Sequence, residues 1–345
     1  MLATEFERVS MSLAEPFGIA RGVQTEAENV VVRIEDEGGM TGVGAAAPSS
    51  HYGETADTVE AVLPDLLSVV EAVGDAHAID RIEREMAETV RRNPAARTAV
   101  SIALHDLAAK RLGVPLYRLW GLDPSRTPTS SYTVGLDDLD TMREKTAEAY
   151  EAGYDVLKVK LGTDRDRAII EAVRDEAPGV TIRVDANEAW TPREAVEMTE
   201  FLADHGVEFV EQPVPAEDHE GLKFVYDRGA LPIAADESCI AAADIPRIAD
   251  RVDIANLKLM KCGGLTEAKR AIHAARAHGL EVMLGCMIES NAAIAAGCHL
   301  APLLDYADLD GSLLLADDPY EGVPMPNGEI DLDALDRPGT GAQRR

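Results

Sequence analysis

Apolar and polar positions follow two different rhythms along this chain, and the change falls near residue 128. Before it, residues 4–13, 28–37 and 42–47 have the alternation and β-branched content of strands, with EDEGGM as the turn between the last two. Three stretches at about 55–73, 79–90 and 94–112 then show helical spacing. The third is punctuated at both ends: Asn93 is placed to cap it, Pro94 suits the first helical position, and Gly113 closes it. Val100, Leu104, Leu107 and Ala108 form its apolar face. This first third reads as a small α+β unit. Its GVGAAAP run, Gly42–Pro48, is no dinucleotide fingerprint, because the third glycine and the following helix are missing.

Beyond residue 128, short apolar strands alternate with amphipathic helices. Candidate strands end near Thr133, Lys160, Asp185, Glu211, Ala235, Leu257, Leu284 and Leu309. From Lys160 onward the ends recur every 22 to 27 residues, the size of one strand-helix unit. Eight such units predict an α/β fold of the (β/α)8 type, a modified TIM barrel behind an N-terminal α+β capping domain. The expected division is 1–125 for the cap, 126–315 for the barrel and 316–345 for a segment returning to the cap.

The chain has 345 residues, 46% of them hydrophobic, which is ample for a large core. Its formal charge of −29 argues against nucleic acid or an anionic membrane as partner. The acidic residues are spread evenly, as on a solvated folded surface, and such a surface would suit a salt-rich cytoplasm where screening relieves self-repulsion. No apolar run approaches a membrane span, and MLATEFERVSMS lacks the regions of a signal peptide. Four dispersed cysteines without a CxxC pair fit reduced thiols in a cytoplasmic protein.

Candidate chemistry gathers at the strand ends, where a barrel of this kind places its active site. Lys158 and Lys160 are spaced i and i+2 in the apolar run DVLKVKL, so both ammonium groups fall on one face of a buried strand. Only eight lysines exist in the chain, and Lys258 and Lys261 form a second pair in NLKLMKCGG. These could be ordinary rim lysines, yet a cation on an inward face is costly unless something there needs it. Asp185, Glu211 and Asp236 supply that need, since three successive strands deliver three carboxylates to one rim. Singly, each could be a helix cap; together they repel one another unless a cation compensates. Oxygen-only ligands favour Mg²⁺. Lys158 and Lys160 lie on one side of the metal strands and Lys258 on the other, so a lysine of depressed pKa can act as base while the metal stabilises an oxyanion. The arrangement suits removal of a proton from carbon next to a carboxylate, through an enediolate, with inversion of the centre.

The KVK pair, the Asp185, Glu211 and Asp236 trio, and Lys258 followed by Gly263 and Gly264 resemble the enolase superfamily in its muconate lactonizing enzyme subgroup. That resemblance implies Lys160 and Lys258 as the two acid/base groups, Lys158 as support for the substrate carboxylate, and the trio as Mg²⁺ ligands. Asn187 and Glu237 lie beside ligands and are expected to support them. It also implies a mobile lid near Pro16–Gly22, from which Arg21 could clamp a substrate carboxylate. Asp308 and Asp310, in DYADLDGSLLLADDPY, resemble the Asp-x-Asp motif of the dipeptide epimerases, in which two carboxylates hold the α-ammonium of a dipeptide; Asp318 and Pro319 add to the likeness. Thr133 and Ser290 are further candidates for substrate contact. The expected activity is epimerisation of a dipeptide at its C-terminal residue. The alternatives are o-succinylbenzoate synthase or N-acylamino acid racemase activity, muconate cycloisomerase activity, or an inactive metal-binding role. The expected partner is a small-molecule substrate, with no nucleic acid and no membrane, and a homo-oligomer is the expected assembly.

Overall fold

Residues 1–345 are all described by the computed structural model. Strands β1 (Ala3–Ile19), β2 (Gly22–Glu35) and β3 (Thr41–Ala46) form an antiparallel meander. The β1–β2 hairpin is longer than the sequence pattern indicates, pairing as far as Ile19 with Gly22 after a register shift between Ser12 and Phe17. Residues 21–26 are exposed, so the tip has no core face and leaves no alternation to read. The segment expected as a lid loop, Pro16–Gly22, is therefore the tip of this hairpin, turning at Ala20 and Arg21.

Helices α1 (Ala56–Val73), α2 (Ile79–Thr89) and α3 (Pro94–Leu112) complete the cap. The buried helix α3 lies directly on β3, and the GVGAAAP run explains how. A β-carbon on Gly44 would stand 2.3 Å from the Ala99 carbonyl oxygen, and one on Gly42 2.1 Å from that of Ala103. Only glycine allows the strand so close to the helix backbone. Asn93 does not cap α3 as expected: it is left-handed, with φ 57°, and makes no side-chain cap bond. The carboxylate of Glu54 takes its place, accepting from the Ala95 amide at 3.2 Å.

The barrel strands are β4 (Tyr132–Val134), β5 (Val156–Lys160), β6 (Thr181–Asp185), β7 (Val207–Glu211), β8 (Ile233–Ala235), β9 (Ile254–Lys258), β10 (Glu281–Gly285) and β11 (Tyr306–Ala307). They pair in parallel and in chain order. The first and last meet through a single bridge between Ser130 and Ala307. Two units depart from the expected repeat. The helix after β8 is a single turn, Ile245–Ile248, and the last strand stops at Ala307, with Asp308 and Asp310 beyond it. One continuous apolar core of 88 buried residues runs through cap and barrel, so the two pack as a unit. The last residues dock on the cap: Arg33 donates to the Tyr320 hydroxyl at 2.8 Å, and the Thr340 amide to Asp106 at 2.7 Å. No helix is long and apolar enough to cross a membrane.

Candidate active site

Parallel register assembles the centre of the barrel mouth. Lys160 on β5 stands beside Asp185 on β6, and Asp185 beside Glu211 on β7. Asp236 follows β8 directly, so Asp185, Glu211 and Asp236 converge, with carboxylate oxygens within 4.8 Å of one another and all three side chains buried. Their neighbours hold them in place. Asn187, at φ 43°, donates its amide to Asp185 at 2.9 Å, and its side chain reaches both Asp185 and Glu237. Gln212, at φ 37°, accepts from the Asp236 amide at 3.0 Å. Two left-handed non-glycine residues beside ligands are local strain held by the surrounding structure.

The lysines rest on these carboxylates. Lys158 Nζ lies 2.8 Å from Glu211 Oε2, 3.3 Å from Asp185 Oδ2 and 2.7 Å from Asp308 Oδ2. Lys160 Nζ is 2.6 Å from Asp185 Oδ2, and Lys258 Nζ is 2.7 Å from Asp236 Oδ2. The two outer lysines thus approach the trio from different strands and pair with different members of it.

A chamber of about 600 Å³ lies between this floor and the hairpin tip. Lys158, Lys160, Lys258, Thr133, Asp308 and Asp310 are on its wall. Asp308 accepts from the Ser131 hydroxyl at 2.6 Å, and Asp310 from the Thr133 amide at 2.6 Å. Thr133 therefore serves Asp310 through its backbone while facing the chamber. Arg21 reaches the chamber from the hairpin tip, and its guanidinium lies 2.8 Å from Glu237 and 3.0 Å from Glu188. It joins the hairpin tip to the barrel rim in this structure and is not a free cation. Ser290 is not brought to the same place: it caps the helix Asn291–Cys298, its hydroxyl donates to Asp318 at 2.7 Å, and it is not on the chamber wall. A serine before a helix is ordinary cap chemistry, and the cap takes the oxygen that a ligand would need. Asp318 is accordingly a partner of Ser290 and Asn291.

Sequence reading assigned no role to four contributors. Asn256 donates to Glu211 at 2.8 Å, and its position two residues before Lys258 on β9 was the available signal. Tyr52 and His51 also line the chamber, from a 3-10 turn in the cap with no pattern to mark it. Lys261 is treated below.

The electrostatics follow from burial and pairing. Burial raises the Glu211 carboxyl to about 7, with Asp185 as the next cause. Burial opposes ionisation of Asp185 too, but Lys160 and Lys158 overcome it and hold that carboxyl down to about 2. For Asp236, Lys258 and Lys261 outweigh burial and hold it well below the usual range. Burial alone would lower Lys258, yet Asp236 raises it well above the ordinary lysine value. That differs from the depressed base expected from the sequence: while a lysine rests on a buried carboxylate it stays charged, and it would be released as a base if a cation took that carboxylate over. Burial, then the Asp308 charge, raises Asp310 to about 7.

The donor set fits a divalent ion. All candidate ligand atoms are carboxylate oxygens, and Glu211 Oε2 is buried and makes no hydrogen bond, with the Lys158 ammonium 2.8 Å away as its countercharge. A hard, oxygen-seeking ion such as Mg²⁺ matches that set.

Comparison with known proteins bears on this geometry. Residues 3–121 match the family model for the mandelate racemase / muconate lactonizing enzyme N-terminal domain, and residues 141–344 that for the enolase C-terminal domain-like family. The L-Ala-D/L-Glu epimerase of Bacteroides thetaiotaomicron is 39% identical over 97% of this chain and 86% of its own length. The hydrophobic dipeptide epimerase of Roseobacter litoralis is 41% identical over 99% of this chain and 98% of its own. Among solved structures, the dipeptide epimerase of Enterococcus faecalis complexed with Mg and L-Leu-L-Tyr superposes with TM-score 0.90 at 34% identity, covering 99% of both chains. That of Cytophaga hutchinsonii, complexed with Mg and D-Ala-L-Val, gives 0.93 at 30% identity over 99% of this chain and 95% of the other.

Proposed function

Because the chain belongs to the mandelate racemase / muconate lactonizing enzyme family of the enolase superfamily, we infer that it is a Mg²⁺-dependent dipeptide epimerase. It inverts the α-carbon of the C-terminal residue by two-base 1,1-proton transfer. The observation that carries this reading is the placement of Lys160 and Lys258 on two different carboxylates of one trio, with Asp308 and Asp310 on the same chamber wall.

Asp185, Glu211 and Asp236 would hold the ion, which when bound acts as a Lewis acid toward negative charge building on the substrate carboxylate. Lys158, buried beside the trio, shares that charge. Lys160 and Lys258 take a proton from one face of the α-carbon and return one to the other. Asp308 and Asp310 face the free α-ammonium of the dipeptide. Cation at the floor and anion at the wall then match the two ends of the substrate, and an N-acylated amino acid brings no ammonium to the Asp pair. Asn187 and Glu237 support the ion-binding end; Thr133 supports Asp310. The paired Arg21 holds the lid closed.

The acidic surface suits a salt-rich cytoplasm, and the chain assembles as a homo-oligomer. A melting temperature unchanged between dilute buffer and molar KCl, or a monomeric mass by light scattering, would remove these two readings separately.

The test of the activity is a dipeptide library incubated in D₂O with Mg²⁺ and followed by mass spectrometry. Free dipeptides should gain deuterium at the C-terminal α-carbon and their N-acetylated forms should not. In D308N/D310N, kcat/KM for free dipeptides should fall about ten- to a hundredfold, with the preference for a free ammonium lost. Equal turnover of acetylated and free forms by the wild type would transfer the assignment to an N-acylamino acid racemase.

A further inference from the structure

Lys261 is the one lysine of the two sequence pairs that the mechanism leaves without a task. It sits in the one-turn helix Leu259–Cys262 that follows β9. Gly263 and Gly264 end that turn at φ 95° and 122°. A β-carbon on Gly264 would stand 2.4 Å from the Ser101 side chain on α3, so the cap presses the turn back under the barrel rim. The Thr98 hydroxyl, also on α3, donates to the Leu259 carbonyl at 2.6 Å and fixes the start of the turn.

Folded this way, Lys261 points into the protein. Its side chain has no exposure and is not on the chamber wall, unlike Lys258. Its ammonium reaches three acceptors: Asp236 Oδ1 at 2.5 Å, the Asp236 carbonyl at 2.6 Å and the Asn256 carbonyl at 3.1 Å. Three donors and three acceptors leave it fully satisfied. Asp236 is thereby divided, with Oδ1 on Lys261 and Oδ2 on Lys258.

The geometry points to Lys261 as a positioning residue: a fixed internal counter-ion that orients Asp236 for a divalent ion and leaves Lys258 free to act as the base. This rests on the reading of the trio as ion ligands. Charge compensation supplies the reason. Lys158 already lies against Asp185 and Glu211 on one side of the trio, and Lys261 behind Asp236 does the same on the other. Asp236 then keeps a countercharge when Lys258 moves off it to the substrate. The same ammonium ties the end of β8 to β9 through the two carbonyls, so that ligand and base keep one spacing.

The test measures Mg²⁺ binding itself, by calorimetry on wild type, K261M and K261R without substrate, so a wrong substrate assignment does not disturb it. K261M should bind Mg²⁺ about ten- to a hundredfold more weakly, the usual cost of losing a group that orients a ligand. K261R should recover part of the loss. In D₂O, the substrate isomer whose proton Lys258 handles should lose exchange in K261M more than the isomer served by Lys160, an asymmetry that general loosening of the fold would not produce. K261M binding Mg²⁺ as tightly as the wild type, or more tightly, overturns the proposal, because Lys261 would then act only as a charge opposing the ion. Should K261M fail to fold, K261R decides by the same calorimetry: Mg²⁺ binding weaker than in the wild type supports the proposal, and binding as tight as in the wild type overturns it.

Discussion

The seam between β3 and α3 and the charged floor of the barrel mouth are both buried, yet they are held by opposite means. At the seam, Gly42 and Gly44 let two backbones meet and alanines of α3 fill what remains, so shape alone determines the fit. At the mouth, Lys158, Lys160, Lys258 and Lys261 face Asp185, Glu211, Asp236 and Asp308, and compensation of charge replaces shape. An added methyl group is costly at the seam, where backbone stands in its way, and a removed charge is costly at the mouth, where its partner would be left buried and unpaired. Stability and catalysis should therefore separate along this line.

The largest effect expected is on the bases. K160A and K258A should each lower epimerisation about a thousandfold or more, in line with loss of a general acid or base. One of them retains deuterium exchange with a single isomer, and the thermal midpoint in saturating Mg²⁺ stays close to wild type. Undiminished turnover in either variant would break the comparison on the catalytic side.

A smaller effect, on stability alone, should follow G44A. Its β-carbon would stand 2.3 Å from backbone that cannot yield without moving α3, for a cost of about 1 to 3 kcal/mol in urea unfolding. Mg²⁺ affinity should be unchanged. A G44A protein as stable as the wild type would mean that the seam is looser than its geometry indicates.

Glu54 sharpens the comparison, being a buried carboxyl in the cap that no ammonium contacts. Burial raises it to about 7, against the ordinary value of 4.5, while the Ala95 amide pulls it down by a lesser amount. A raised carboxyl means that the unfolded chain loses its proton near 4.5 and the folded chain only near 7. Its contribution to stability is thus complete below pH 4.5 and disappears as pH rises through 7. E54Q keeps an acceptor for Ala95 without the charge, so it should flatten that part of the stability profile, by on the order of 1 kcal/mol. An identical pH profile in E54Q would assign the titration elsewhere.

The sequence by itself determined the order of elements, because strand-helix repeats and capped helices are local signals that survive without tertiary context. It marked the charged floor as well. A lysine or carboxylate at the end of an apolar strand is conspicuous, and i, i+2 spacing assigns its face. Where residues lack such a frame, only the tertiary structure decided. The hairpin tip pairs without a buried face, so its alternation is invisible. Asn93 and Ser290 each precede a helix and look alike in sequence; one backbone is left-handed and does not cap, while the other caps and turns from the chamber. Glu54 and Ala95, 41 residues apart, meet only because the chain folds back. Lys258 and Lys261 read as one pair, yet the turn after β9 sends the first to the chamber and the second beneath Asp236. Local spacing can give the face of a strand, but the direction of a side chain past the strand's end is set by what the turn packs against, and here that is a helix more than 150 residues earlier in the chain.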